Sequence, residues 1–290
     1  MIDPLILSRN GPLFLFVHAN GYPPEAYRTF LLPFLDDFQV MALSLRPFWP
    51  GADPDCLKDW KGFRDDYLDF LKELESNQRL PGHSKIGFNQ VIGVGHSVGA
   101  MTSLMVAIEQ PYLFRALVLI EPVLFPPWKG TIMRALAPFN LMRRIHPLIR
   151  GTLRRKVNFP SREVMFTNYR GKRIFESLSD PVLRDYVAGL ASDNPDGTVT
   201  LKYSPAWEVK IYETGGIADA YVWRNLPNVS CPVLVLRGEK SATLKPRVVQ
   251  SMVKKLPDGQ AYSQPGAGHL FPLELPDRAA SLIIDYLKCI

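Results

Sequence analysis

The sequence predicts an α/β protein: a mostly parallel central sheet with helices on both faces, and a mostly helical segment inserted between two late strands. Three observations predict it. Short continuous apolar runs, rich in β-branched and aromatic residues, recur along the chain, as strands buried on both faces require. Stretches with helically spaced apolar residues alternate with them, the pattern of a parallel sheet. That alternation stops once, between residues 126 and 229, over a span too long for a bare loop.

The elements follow in order. Leu13–Val17 (LFLFV) and Gln39–Leu45 (QVMALSL) read as the first two strands. Trp60–Leu74 reads as a helix, because Phe63, Tyr67, Phe70, Leu71 and Leu74 share one face. Gln90–Val94 is the third strand, and the apolar helix after it runs to about Glu109. Leu117–Ile120 is the fourth strand, Pro232–Leu236 the fifth, ended by Gly238, and Gln260–Tyr262 a short sixth. A helix over Ala279–Leu287 closes the chain. Residues 1–125 and 230–290 are thus expected to form one core, and 126–229 a mostly helical cap. The cap holds more aromatics than a solvated loop needs. Most should form its own core, with Phe139, Tyr169 and Trp207 lining a substrate pocket.

Composition narrows the function classes. The chain has 290 residues, 47% hydrophobic and 21% charged, as in ordinary globular proteins. No apolar run approaches a membrane span, so no integral membrane segment is expected. No basic start precedes the short apolar run near Met1, so no secretory signal is read. Cys56, Cys231 and Cys289 are scattered and lack metal-ligand spacing, which suggests a reducing, cytoplasmic setting. The net charge of +6 is uneven: twelve Lys and Arg between Pro126 and Phe175 face Glu163 alone, a local +11. No nucleic-acid motif accompanies this cluster, so nucleic acid is not an expected partner. A solvated basic face is the simplest account of it, and weak contact with an anionic surface the alternative. The sequence sets no oligomeric state.

The chemistry centres on Gly95-His96-Ser97-Val98-Gly99, a G-x-S-x-G run between a buried strand and a buried helix. In that context the motif reads as a nucleophile elbow, with glycines flanking a turn too sharp for side chains. The turn puts the serine hydroxyl at a helix N-terminus, where the dipole and free N–H groups favour negative charge. A serine needs a base. Of the five histidines, His269 sits in a small-residue loop, Pro265-Gly266-Ala267-Gly268, before the last helix. That loop can swing an imidazole over the strand ends. His96 reads as a packing residue, and His83 and His146 as loop or cap residues.

With these signals in order, the chain resembles the α/β-hydrolase superfamily, as a capped member similar to serine esterases and lipases. The resemblance rests on the His18-Ala19-Asn20-Gly21 turn, the elbow, the strand ending in Gly238 and the His269 loop. It implies a catalytic Ser97 and His269, and an oxyanion hole from the N–H groups of Val98 and Asn20. The Asn20 side chain offers a third donor. The family's usual acid position falls on Ser241, which cannot carry charge. The substitutes are Glu121, at the end of the fourth strand as in some relatives, and Glu239, in the late loop. An isolated carboxylate closing a buried strand is costly unless paired, which favours Glu121. The chain departs from the family's pattern at its start, where at most one edge strand fits ahead of Leu13. The expected activity is hydrolysis of small-molecule esters, apolar or lipid-like, through an acyl-enzyme, with no metal or organic cofactor. The same residues also serve carbon–carbon bond hydrolysis, cofactor-free haloperoxidase chemistry and acyl transfer, and the fold also serves ligand receptors.

Overall fold

The structure is a computed structural model that describes residues 3–76, 90–136 and 147–290. A seven-stranded sheet forms the centre, with strands β1 (Leu5–Ile6), β2 (Leu13–Val17), β3 (Gln39–Leu43), β4 (Val91–His96), β5 (Phe114–Ile120), β9 (Val233–Gly238) and β10 (Gly259–Gln264) in the order β1-β3-β2-β4-β5-β9-β10. Every pairing is parallel except β1 with β3. β1 forms one edge of the sheet, beside β3. All residues of β2, β3, β4 and β9 are buried, which explains their continuous apolar runs; β10, at the far edge, is half exposed.

Helices cover both faces of the sheet. Among them are α1 (Lys61–Glu75) and α2 (Val98–Glu109). α2 is buried from Val98 to Ile108. Its two hydroxyls are satisfied internally, Thr102 Oγ1 donating to the Val98 carbonyl at 2.9 Å and Ser103 Oγ to that of Gly99 at 3.1 Å. The predicted strands and helices are all present, with ends shifted by up to three residues.

Between β5 and β9 lie helices α3 (Pro127–Leu136), α4 (Pro147–Thr152), α5 (Arg162–Arg170), α6 (Asp180–Leu190), α7 (Pro205–Thr214) and α8 (Asp219–Asn225). A small antiparallel sheet was not anticipated there: β6 (Asn158–Phe159), β7 (Ala191–Asp193) and β8 (Val199–Leu201), ordered β6-β8-β7. Its strands are too short to show a period in the sequence. The turn joining β7 to β8 uses Gly197 at φ +81° and closes with Asn194 N–H on the Thr198 carbonyl at 2.9 Å.

The strand order fixes where chemistry can occur. The chain steps from β2 to one side, forming β3, and then to the other, forming β4. The crevice at such a reversal, beyond the carboxyl ends of the strands, is the usual ligand position in open α/β sheets. Asn20 follows β2 there, Ser97 follows β4, and Glu121 follows β5.

Candidate active site

The elbow needs both of its glycines. A Cβ on Gly95 would lie 2.4 Å from the Gly99 carbonyl oxygen, and one on Gly99 would lie 2.2 Å from that of Val17. Neither clash can be relieved without moving backbone. Between them Ser97 takes φ 59°, and its amide donates to the Ile120 carbonyl at 2.9 Å. Glu121 takes φ 51°, its amide donating to the Leu236 carbonyl at 2.8 Å. Among the described residues these two alone, glycines aside, have positive φ. Such strain costs about 1–3 kcal/mol each and persists only where surrounding structure holds it.

Both strained residues converge on His269. Its Nε2 lies 3.1 Å from Ser97 Oγ and its Nδ1 lies 2.9 Å from Glu121 Oε2. Ser97 and Glu121 are buried, whereas the His269 side chain keeps 28% of its surface. The Glu121 carboxylate accepts two further bonds at 2.6 Å, from the Gly238 amide on Oε1 and from the Ser241 hydroxyl on Oε2. These donors supply the partners that a buried carboxylate needs. Ser241, at the position where the resemblance places an acid, thus orients the Glu121 carboxylate through its hydroxyl. Glu239 instead is exposed and accepts from the Gly266 amide at 2.9 Å. The contact to His269 belongs to Glu121.

His96 has more than a packing role. Its Nε2–H donates to the His269 carbonyl at 2.8 Å, so its Nδ1 accepts from the Tyr27 hydroxyl at 2.7 Å. The Tyr27 oxygen in turn accepts from the Ala19 amide at 3.3 Å. One buried imidazole thus ties the His269 loop to the turn after β2. Burial holds its pKa well below the usual value, with His269 nearby adding to that. In the same turn His18 is buried and its pKa falls to about 4, chiefly by desolvation. It is held in one tautomer, Nδ1–H donating to the Ala19 carbonyl at 2.8 Å and Nε2 accepting from the Leu45 amide at 3.0 Å.

The amides of Asn20 and Val98, both buried, donate to no atom of the described residues. The Asn20 side chain is not a free third donor. Its Oδ1 accepts from the Tyr203 hydroxyl and its Nδ2 donates to the Glu208 carbonyl at 3.3 Å, both from the inserted segment. Sequence reasoning missed this contact, because nothing in the spacing joins Asn20 to residues so far along the chain. Trp207 and Tyr169 are buried among the inserted helices. The Trp207 indole donates to the Ala52 carbonyl at 3.1 Å, and the Tyr169 hydroxyl accepts from Arg155. Phe139, His83 and His146 lie outside the described residues. Among those described, no three His, Cys, Asp or Glu side chains are grouped to hold a metal. No helix among them is long and apolar enough to cross a membrane.

A strained serine at a strand-to-helix turn, joined through one histidine to a buried acid, marks a class of protein. Residues 14–282 match the Alpha/beta hydrolase family, and the chain belongs to that family. The following relatives are distant. An abhydrolase domain-containing protein, AKT2, of Alternaria alternata is 25% identical over 69% of this chain and 85% of its own. The 2-(acetamidomethylene)succinate hydrolase of Mesorhizobium japonicum is 23% identical over 96% of this chain and 88% of its own. The fold is also that of a crystal structure of E-2-(acetamidomethylene)succinate hydrolase, with TM-score 0.73, 21% identity, and coverage of 97% of this chain and 93% of that one. The thioesterase domain of the curacin biosynthetic pathway aligns with TM-score 0.70 and 17% identity, over 98% and 99% of the two chains.

Proposed function

We propose that the protein is a serine hydrolase that cleaves carboxylic esters of apolar or lipid-like substrates through an acyl-enzyme. The observation that carries this reading is the unbroken chain Ser97 Oγ, His269 Nε2, His269 Nδ1, Glu121 Oε2, with contacts of 3.1 and 2.9 Å. A carboxylate can only accept, so Glu121 fixes the tautomer with hydrogen on Nδ1 and leaves the Nε2 lone pair facing the serine hydroxyl. Ser97 attacks the carbonyl as Nε2 takes its proton. The free amides of Asn20 and Val98 receive the oxygen as it becomes negative. The imidazolium protonates the leaving alcohol, and water then clears the acyl group by the reverse path. The carboxylate-dependent route of an aspartate nucleophile is disfavoured, because the elbow carries serine.

In this reading residues 126–229 cap the strand ends and roof the substrate site. A panel of p-nitrophenyl esters of increasing acyl length tests it. Turnover that Ser97→Ala abolishes supports ester hydrolysis; no turnover of any ester by a protein whose Ser97 is reactive contradicts it. The likeness to a hydrolase named for an acetamido compound makes hydrolysis of an amide bond the second reading.

A further inference from the structure

The inserted segment reaches the proposed oxyanion donor directly, through Asn20. The Tyr203 hydroxyl donates to Asn20 Oδ1, and the Glu208 carbonyl accepts from Asn20 Nδ2 at 3.3 Å. Both polar ends of the side chain are thus held by the insert, while the amide of the same residue donates to no atom of the described residues. The two anchors are themselves fixed. Tyr203 is fully buried and packs edge-on against Phe48 at 5.0 Å, and Phe48 packs against His18 at 5.2 Å, two residues before Asn20. The Glu208 carboxylate pairs with the Arg155 guanidinium at 2.5 Å and accepts from Thr152 Oγ1 at 3.0 Å. Arg155 donates in turn to the Tyr169 and Tyr186 hydroxyls. This cluster lies against the turn itself: a Cβ on Gly21 would sit 3.5 Å from Glu208 Cδ and 3.7 Å from Arg155 Nη1. Arg155 is therefore committed to a strut beneath Glu208.

We propose that Tyr203 and Glu208 are positioning residues: they hold Asn20 so that its amide points at the developing oxyanion, and the hole is complete only with the insert seated on the core. The inference rests on the serine-hydrolase reading above. An oxyanion hole acts by donors fixed before charge develops, so a donor freed to swing loses much of its effect without altering ground-state binding.

The test compares Tyr203→Phe, Asn20→Ala and the double variant on a p-nitrophenyl ester, and measures their affinity for a trifluoromethyl ketone inhibitor, whose adduct places an oxyanion in the hole. Tyr203→Phe removes the one hydroxyl, and Asn20→Ala keeps the amide but frees it. Each is expected to lower kcat and inhibitor affinity by about ten-fold, below the roughly 10²–10³ of losing a donor outright, with KM nearly constant. Because Tyr203 acts through Asn20, the double variant should be no worse than Asn20→Ala alone. Additive losses, or kcat and inhibitor affinity near wild type in either single variant, would overturn the inference. A loss of kcat matched by a raised KM, without weaker inhibitor binding, would overturn it too. If Tyr203→Phe does not fold, Asn20→Ala decides alone by the same criteria. Failure of the parent reading is separate: wild-type protein would then show no Ser97-dependent turnover at all.

Discussion

Replacing Glu121 by glutamine changes one atom in a site where both carboxylate oxygens accept hydrogen bonds. Oε1 accepts from Gly238, and Oε2 accepts from both Ser241 and His269. Glutamine offers one accepting end and one donating end. With the amide nitrogen at the Oε1 position, it faces the Gly238 N–H and leaves a buried donor unpaired. With the nitrogen at the Oε2 position, it faces Nδ1, which must then give up its hydrogen. The proton moves to Nε2, the nitrogen 3.1 Å from Ser97 Oγ, and the base can no longer accept. Either orientation also removes the charge that stabilises the imidazolium. The expected loss is about 10³–10⁴-fold in kcat, or about 4–5.5 kcal/mol of barrier, with KM little changed. Steady-state kinetics on a p-nitrophenyl ester measures it, with Glu239→Gln as control. Glu239 is exposed and contacts the Gly266 amide, so its variant should stay near the wild-type rate. A Glu121→Gln enzyme at a near-normal rate, or a larger loss in Glu239→Gln, would refute the reasoning.

Further outcomes follow from neighbouring groups. Ser241→Ala should lower kcat by about ten-fold, one lost charge-assisted hydrogen bond to the acid being worth about 1.4 kcal/mol, and an unchanged rate would count against the role given to that hydroxyl. Asp219 is buried, accepts from the Phe125 amide at 2.8 Å where the insert begins, and has its pKa raised to about 7, mainly by desolvation. A carboxyl with a raised folded-state pKa contributes stability at low pH and loses it as pH rises through about 7, by at most about 4 kcal/mol. Asp219→Asn should therefore gain stability relative to wild type between pH 4 and 8 in chemical denaturation, and a difference constant with pH would contradict this. The basic stretch of the insert is partly consumed: Arg155, Arg162 and Arg170 pair with Glu208, Asp193 and Asp180. Exposed Trp128, Ile132, Leu148 and Leu153 remain beside exposed Lys129, Arg150 and Arg154. Activity on anionic micelles should fall more steeply with salt than activity on neutral short-chain esters, and equal slopes would leave the basic residues a solvating role only.

The parts of the fold that the sequence disclosed are those where one physical requirement dominates. Strands buried on both faces must be apolar throughout, so β2, β3, β4 and β9 stood out as runs. The elbow was visible because an added Cβ would come within 2.4 and 2.2 Å of backbone oxygens, which admits only glycine at Gly95 and Gly99. The His269 contact followed from its loop and its place in chain order. Less local features stayed hidden. β6, β7 and β8 have two or three residues each, fewer than a period needs. The service of Ser241 to Glu121, the bridge from His96 to the His269 carbonyl, and the grip of Tyr203 on Asn20 join residues distant in sequence. Their chemistry becomes readable only when the strand ends are brought together. The basic stretch was legible only in part for the same reason: Glu163 is the only acid within it, but Glu208, Asp193 and Asp180 pair with Arg155, Arg162 and Arg170 from further along the chain.

The most direct measurement of the central claim is covalent labelling with a fluorophosphonate, read by intact mass and peptide mapping. The probe reacts with a serine activated by a base and held beside oxyanion donors, so it reports the assembled site independently of the natural substrate. One adduct per chain is expected, located on Ser97, absent in Ser97→Ala and strongly slowed in His269→Ala. An unlabelled wild-type protein, or an adduct that persists in Ser97→Ala, would contradict it.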